Sequence, residues 1–299
     1  MQTEANLLDR KPFAMRAMRW LLLAGGSILF MLVIWFGFIS PSPDFYQPGF
    51  LLLGVIGAVF ANSTGAGGGV VFIPVFQQMG FSEAQSVATS FGIQCFGMTA
   101  GAITWYLYYQ RQRKIEPERW QEFKFIIIFG TLFSVLGIWH NYGMQLSAPA
   151  ALHEIFSVFS VLLGLSILAT TYLIRPGLTR HTLTKLDVLV LLVIAYAGGV
   201  ITAWLSVGVG EIVAFYLIFR RFDVTLAVAT AVAISALTVW SAALQHFWID
   251  PHVNWQVVIF AGPGAVVGGV LARTLVGYMS ARRLKIFFGI WLLIVGFAS

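Results

Sequence analysis

The chain has 299 residues, 59% of them hydrophobic and only 10% charged, with a mean hydropathy of +0.84. Too few polar residues remain to cover a water-soluble globule of this size, so an integral membrane protein is indicated. The net charge of +6 could suggest nucleic acid, but Lys and Arg beside membrane spans ordinarily report orientation, and no nucleic-acid partner is expected.

Apolar runs near the roughly 20 residues that a helix needs to cross a ~30 Å hydrocarbon core point to helices. Barrel strands would instead alternate over ~10 residues. A tail carrying Arg10, Lys11, Arg16 and Arg19 precedes the first run, residues 20–39. It superficially resembles a secretory signal, but no small-x-small cleavage site ends it, so it reads as a retained span. Ser40-Pro41-Ser42-Pro43 closes that span.

An apolar arm at 49–62 then reaches Asn62-Ser63-Thr64-Gly65-Ala66-Gly67-Gly68-Gly69, and a second arm runs over 70–79. As helices the two arms would be roughly 21 and 15 Å long, short of a crossing, which predicts a broken or re-entrant pair. Spans follow at 86–109, 123–139 and 153–174. After a polar loop with Arg175, Arg180 and Lys185, an arm at 186–205 reaches Ser206-Val207-Gly208-Val209-Gly210-Glu211. A short arm at 212–219 leads to Arg220 and Arg221, and spans at 225–247, 255–277 and 284–298 complete the chain. Gly262-Pro263-Gly264 is expected to bend the penultimate helix, as a hinge or simply accommodated by its neighbours. Cys95 is alone in an apolar run and the histidines lack ligand spacing, so no disulfide, metal or cofactor is expected.

The chain repeats itself. Residues 81–89 match residues 222–230 in Phe, Val, Ala and Thr at an offset of 141, and Ser63, Gly65 and Gly67 meet Ser206, Gly208 and Gly210 at an offset of 143. On the second offset Glu211 stands where Gly68 stands in the first half.

If each broken pair enters and leaves on one side, all 18 Lys and Arg fall on the side of the N-terminus. The positive-inside rule then makes the N-terminus cytoplasmic and the C-terminus external, as in a bacterial-type inner membrane. The expected architecture is an all-α integral membrane protein of one domain, 1–299, with two inverted-topology repeats. Residues 1–48 supply a tail and an extra helix, 49–174 the first repeat and 186–299 the second. Inverted repeats with interrupted helices near the midplane are the design of secondary transporters.

The breaks suggest an anion site, because helix N-termini near Gly68 and Gly210 aim unpaired amides and a partial positive charge at a solute. Glycines that merely permit close helix packing are the plainer reading. Candidate substrate-binding residues are Asn62, Ser63, Thr64, Gly65, Gly67, Gly68, Thr89, Ser90, Gln94, Ser206, Gly208, Gly210, Thr230 and Ser235. Intramembrane Ser and Thr also commonly bond their own helix. Glu211 is the proton-coupling candidate, since desolvation favours a neutral carboxyl; equally, it could cap the short helix after the break. Arg273, near a span end, is expected to snorkel.

Gly65-Ala66-Gly67-Gly68-Gly69 through Pro74 to Ala88-Thr89-Ser90 resembles the signature of the sulfite exporter TauE/SafE family of membrane permeases, with a weaker second block where that family repeats. The resemblance implies an inner-membrane permease for sulfite, sulfoacetate or other small organic anions, driven by an ion gradient. This chain departs from the pattern in its second half, where no proline answers Pro74. A passive anion channel and an intramembrane enzyme are the alternatives, although no GxSxG, HExxH or Walker motif is present. Oligomeric state stays open, a homo-oligomer included.

Overall fold

The computed structural model describes residues 47–148, 152–173, 179–278 and 281–298. The expected span at 20–39, the basic tail before it and Arg175 lie outside the described residues. The chain divides into Met1–Gln47, of which only Gln47 is described, and Pro48–Ser299, to which everything below refers.

The described residues form helices α1 (Gln47–Thr64), α2 (Gly69–Gln78), α3 (Glu83–Gln112), α4 (Phe123–Gly143), α5 (Leu152–Leu173), α6 (Lys185–Leu205), α7 (Val209–Phe219), α8 (Val224–Leu244), α9 (Trp255–Tyr278) and α10 (Ala281–Ala298). A single π-helical turn, Gln245–Ile249, extends α8. Side chains that accept orphan amides set several helix starts. Ser82 Oγ accepts Gln85 N–H at 3.2 Å to begin α3, and Asp223 Oδ1 accepts Thr225 and Leu226 N–H at 2.8 and 3.0 Å to begin α8. Thr184 and Asp187 cap each other's amides at the start of α6, a full capping box.

Among the described residues, four stretches are long and apolar enough to cross a membrane: Glu118–Gly143, Lys185–Leu205, Val224–Ile249 and Trp255–Tyr278. With 30 residues α3 is longer still. Its polar Ser86, Thr89, Ser90 and Gln94 are buried against protein, which explains why it is not uniformly apolar. The first arm is longer than expected, an 18-residue helix of about 27 Å, but it stays short of a ~30 Å crossing, and its apolar part, Gly49–Thr64, is not among those spans. Helices α2 and α7, with 10 and 11 residues, are shorter still, whereas α6, with 21 residues and about 32 Å, is long enough to cross alone.

Large apolar side chains such as Leu162, Leu189 and Val267 are exposed, as suits helices facing lipid. Between helices the contact residues are small, which lets backbones approach without a hydrophobic drive from water. A Cβ on Gly54 would stand 2.0 Å from the Ala261 carbonyl oxygen, and one on Gly264 would stand 2.1 Å from that of Leu51. Thus α1 lies directly on α9. In the same way Gly137 meets the Tyr196 carbonyl and Gly199 that of Ser134, both at 2.1 Å from the hypothetical Cβ, so α6 lies directly on α4.

Helices of the two halves interleave throughout: α3 packs on α9 and α8 on α4, while α3 meets α8 and α5 meets α10. The core centres on α8, most of whose length is buried. Helix α9 continues through Pro263. Gly262 and Gly264 there abut the Phe96 ring and the Leu51 carbonyl, so their smallness serves contact.

The loops 113–122, 179–184 and 220–223 meet at one end. Arg119 pairs with Asp223 at 2.7 Å and with Glu116 at 2.9 Å. Asp187, fully buried, receives Arg220 at 2.6 Å, Arg180 at 3.0 Å and the Tyr216 hydroxyl at 2.9 Å. These ties hold the far end of α7 to the start of α6. Near that end the Arg273 guanidinium lies 4.2 Å over the Tyr108 ring, a cation–π contact for a stem that is partly buried.

Backbone approach at these crossings leaves no room for a side chain. Gly137→Leu and Gly264→Leu are expected each to destabilise by at least about 3 kcal/mol, beyond ordinary overpacking because backbone is the obstacle. Gly143→Leu, which meets nothing within 4 Å, should be tolerated. Size-exclusion profiles and thermal unfolding of the detergent-purified variants check this.

Candidate functional site

Both helix breaks use the left-handed region to end the incoming helix. Gly65 follows α1 at φ +85°, where glycine carries no Cβ penalty. Ser206 follows α6 at φ +56°, a conformation that costs a non-glycine residue about 1–3 kcal/mol and persists when its surroundings over-determine it. Here the surroundings are Ser90 and Gln94: Ser206 Oγ lies 3.0 Å from Ser90 Oγ and 2.7 Å from Gln94 Nε2.

Aligned at the ends of the incoming helices, Thr64 and Leu205, Gly65 stands beside Ser206 at an offset of 141, whereas the 143 offset aligns the Ser and Gly matches of the sequence. The second turn is one residue shorter, with α2 starting at Gly69 and α7 at Val209. Glu211 is the third residue of its helix, the place that Val71 has in α2.

The two turns lie against each other. A Cβ on Gly67 would stand 2.9 Å from the Ser206 carbonyl oxygen, and one on Gly210 would stand 1.9 Å from that of Gly65. Each turn also rests on the other half's central helix. Ser206 meets Ser90 and Gln94 on α3, and Gly65 meets Ala231 on α8, its Cβ position 2.7 Å away. Ser235 Oγ stands 2.4 Å from the corresponding point on Gly210. Ala231 and Ser235 lie 141 residues beyond Ser90 and Gln94.

The amides freed at the breaks are taken by side chains. Gly67 N–H donates to Glu211 Oε1 at 3.0 Å, and Gly208 N–H to Glu211 Oε2 at 2.9 Å. Gly68 N–H donates to Gln94 Oε1 at 2.8 Å, which fixes the amide orientation of Gln94. Gln94 Nε2 then faces Ser90 Oγ and the Ser206 carbonyl, both at 3.0 Å, as well as Ser206 Oγ. Val209 N–H donates to Thr202 Oγ1 at 3.1 Å and Ala66 N–H to Thr64 Oγ1 at 3.2 Å.

Glu211 is 2% exposed and forms no ion pair among the described residues. Hydrogen bonds to a charged group contribute about 1.5–3 kcal/mol each, so the two offset part of a desolvation cost of several kcal/mol. Its bond to Gly208 is the capping half of a capping box, which glycine cannot complete; the bond to Gly67 joins the two turns.

Other expected site residues have different duties. Asn62 Nδ2 donates to the Ala58 and Gly97 carbonyls and ties α1 to α3. Thr230 bonds its own helix at Leu226 and Ala227. Thr89 Oγ1 accepts Asn254 N–H at 3.0 Å and anchors the loop before α9. Asn62 Oδ1, Ser63 Oγ and Ser235 Oγ are buried and have no hydrogen-bond partner among the described residues.

Thr202 and Trp105, whose Nε1 donates to the Asn62 carbonyl at 3.0 Å, were not anticipated. Thr202 lies one helical turn before Ser206, a spacing that could have marked it; nothing in the sequence marks Trp105.

Between Asn62, Gly68, Phe72, Gln94 and Gly97 remains a cavity of about 10 Å³, the size of one water. The turns are occluded in this conformation. A larger groove of about 480 Å³ lies at the charged end, lined by Glu116, Arg119, His181 and Asp223, and touches neither turn.

An all-helical, multi-pass membrane protein with two helix breaks meeting in its interior has the make-up of a membrane permease. Residues 50–299 match the family described as Sulfite exporter TauE/SafE. The chain belongs to that family, a family of transporters. Among curated proteins and solved structures nothing matches it.

Gln94 is the hub of the join. Gln94→Ala orphans the Gly68 amide and the Ser206 hydroxyl contact, at about 1–3 kcal/mol for each buried group left unpaired. A fall in the thermal unfolding midpoint larger than that of Thr230→Ala, whose bonds are to its own helix, is the expected result.

Proposed function

We propose that the chain is a secondary transporter of sulfite or a small organosulfonate or related organic anion, working by alternating access between inverted repeats at 49–174 and 186–299. The observation that carries this reading is the meeting of two helix N-termini in a buried interior, their amides held by exchangeable side-chain acceptors. The reciprocal packing supports the inverted repeat: α1 on α9 is answered by α6 on α4, and each turn rests on the opposite half's central helix.

A solute anion would take over the amides of Gly67, Gly68 and Gly208, with Ser90, Ser206 and Ser235 contributing hydroxyls. Rocking one half against the other would then open the join to either side. The clustering of Arg119, Arg180 and Arg220 with the loops at one end supports a cytoplasmic placement of that end, an inner-membrane location and an external C-terminus. Glu211 is the candidate carrier of a coupled proton, taken up as the solute binds.

Liposomes holding the purified protein should move labelled sulfite or sulfoacetate saturably and in response to a pH gradient. Non-saturating flux would instead indicate a channel, and turnover of a membrane substrate without flux an enzyme. In Glu211→Gln the pH-gradient dependence should disappear; its persistence would remove Glu211 from the coupling step.

A further inference from the structure

The amides at the two turns already hold a carboxyl group, and it belongs to the chain. Glu211 Oε1 bonds Gly67 of one turn and Oε2 bonds Gly208 of the other. Capping α7 needs only the Gly208 bond. The second oxygen reaches a residue 144 positions away, so the carboxylate spans the join as a free oxyanion would. Hydrogen-bonding capacity beside it is not exhausted: Ser235 Oγ, only 3% exposed and unpartnered, lies against Gly210 at the start of α7.

We propose that Glu211 is a tethered occupant of an oxyanion site, and that solute binding is an exchange in which a free anion takes the Gly67 and Gly208 amides as the carboxylate leaves. The identity of the free anion rests on the transporter reading; the exchange does not. Glu211 thereby acts as a specificity determinant, since an anion no better matched to the two turns than a tethered carboxylate is turned away. The tether adds an advantage through effective concentration, so accepted solutes must present more than a carboxylate does. A third oxygen reaching Ser235 is one way to do so.

The test uses the purified full-length chain with formate, acetate and sulfite as probes and chloride as the ionic-strength control. Glu211→Ala vacates the site. Formate at a hundredfold excess over its Kd should raise the unfolding midpoint of this variant by about 3 °C or more, while wild type does not respond. Glu211→Gln removes the competing charge while keeping the side-chain volume, and sulfite should bind it at least tenfold more tightly than wild type. The proposal is overturned if formate leaves folded Glu211→Ala unmoved, or if sulfite binds Glu211→Gln no better than wild type. Should Glu211→Ala not fold, the sulfite and formate titrations of Glu211→Gln decide, and the absence of any response refutes the exchange. Formate rescue without sulfite flux in wild type would overturn the proposed solute and keep the exchange. Flux without rescue would do the reverse.

Discussion

Backbone amides released where a helix breaks inside an apolar interior have no water to turn to, and leaving one buried and unpaired costs about 1–3 kcal/mol. This chain breaks helices twice at one place, so the cost is concentrated there. The answer is a set of acceptors drawn from four segments: Thr64 at the end of α1, Gln94 on α3, Thr202 on α6 and Glu211 on α7. Ser90 and Gln94, which would be out of place on a lipid-facing helix, are thereby explained, since they are the polar residues of α3 that bond the turns. The strained Ser206 belongs to the same economy, its left-handed backbone held by two side chains of α3.

The two sides of the join both end the incoming helix in the left-handed region, at Gly65 and Ser206, but differ in chemistry. At one, Gln94 fills the space and makes a network with Ser90 and Ser206. At the other stand Ala231 and Ser235, and among the described residues the hydroxyl of Ser235 has no hydrogen-bond partner. Glu211 compensates from within α7. The join is thus asymmetric, with a glutamine network on one side and Glu211, a residue of α7 itself, on the other.

Much of the fold was legible because hydropathy and helix breakers report directly on what a bilayer permits. The span limits fell within a few residues of α3, α4, α5, α8 and α9, and Gly65 and Ser206 stood out at the breaks. Arm length was less legible. The apolar count stopped at Asn62, whereas the helix runs to Thr64, whose hydroxyl bonds the Phe60 carbonyl one turn back and tolerates helix there. Asp187 and Arg220 gave no sequence signal either: their pairing depends on α7 being short enough to bring its far end back to the start of α6. At the site, the residue types were readable but not the partners, since Glu211 and Gly67 are brought together only by the fold.

The interleaving of the halves has a bearing on how the protein is made. Helix α1 has its close-fitting surface on α9, and α3 is flanked by α8 and α9, all of which are synthesised more than a hundred residues later. When α5 emerges, the first turn has neither Glu211 for Gly67 nor Ser206 for Gln94. Until the second half is made, α1 and α3 have each other, through Asn62, Gly97 and Gly101, while the surfaces that fit α9 stay uncovered. Biogenesis is thus committed to a late assembly step, and the glycine grooves of α1 and α3 are where a membrane chaperone or a mispaired helix would compete.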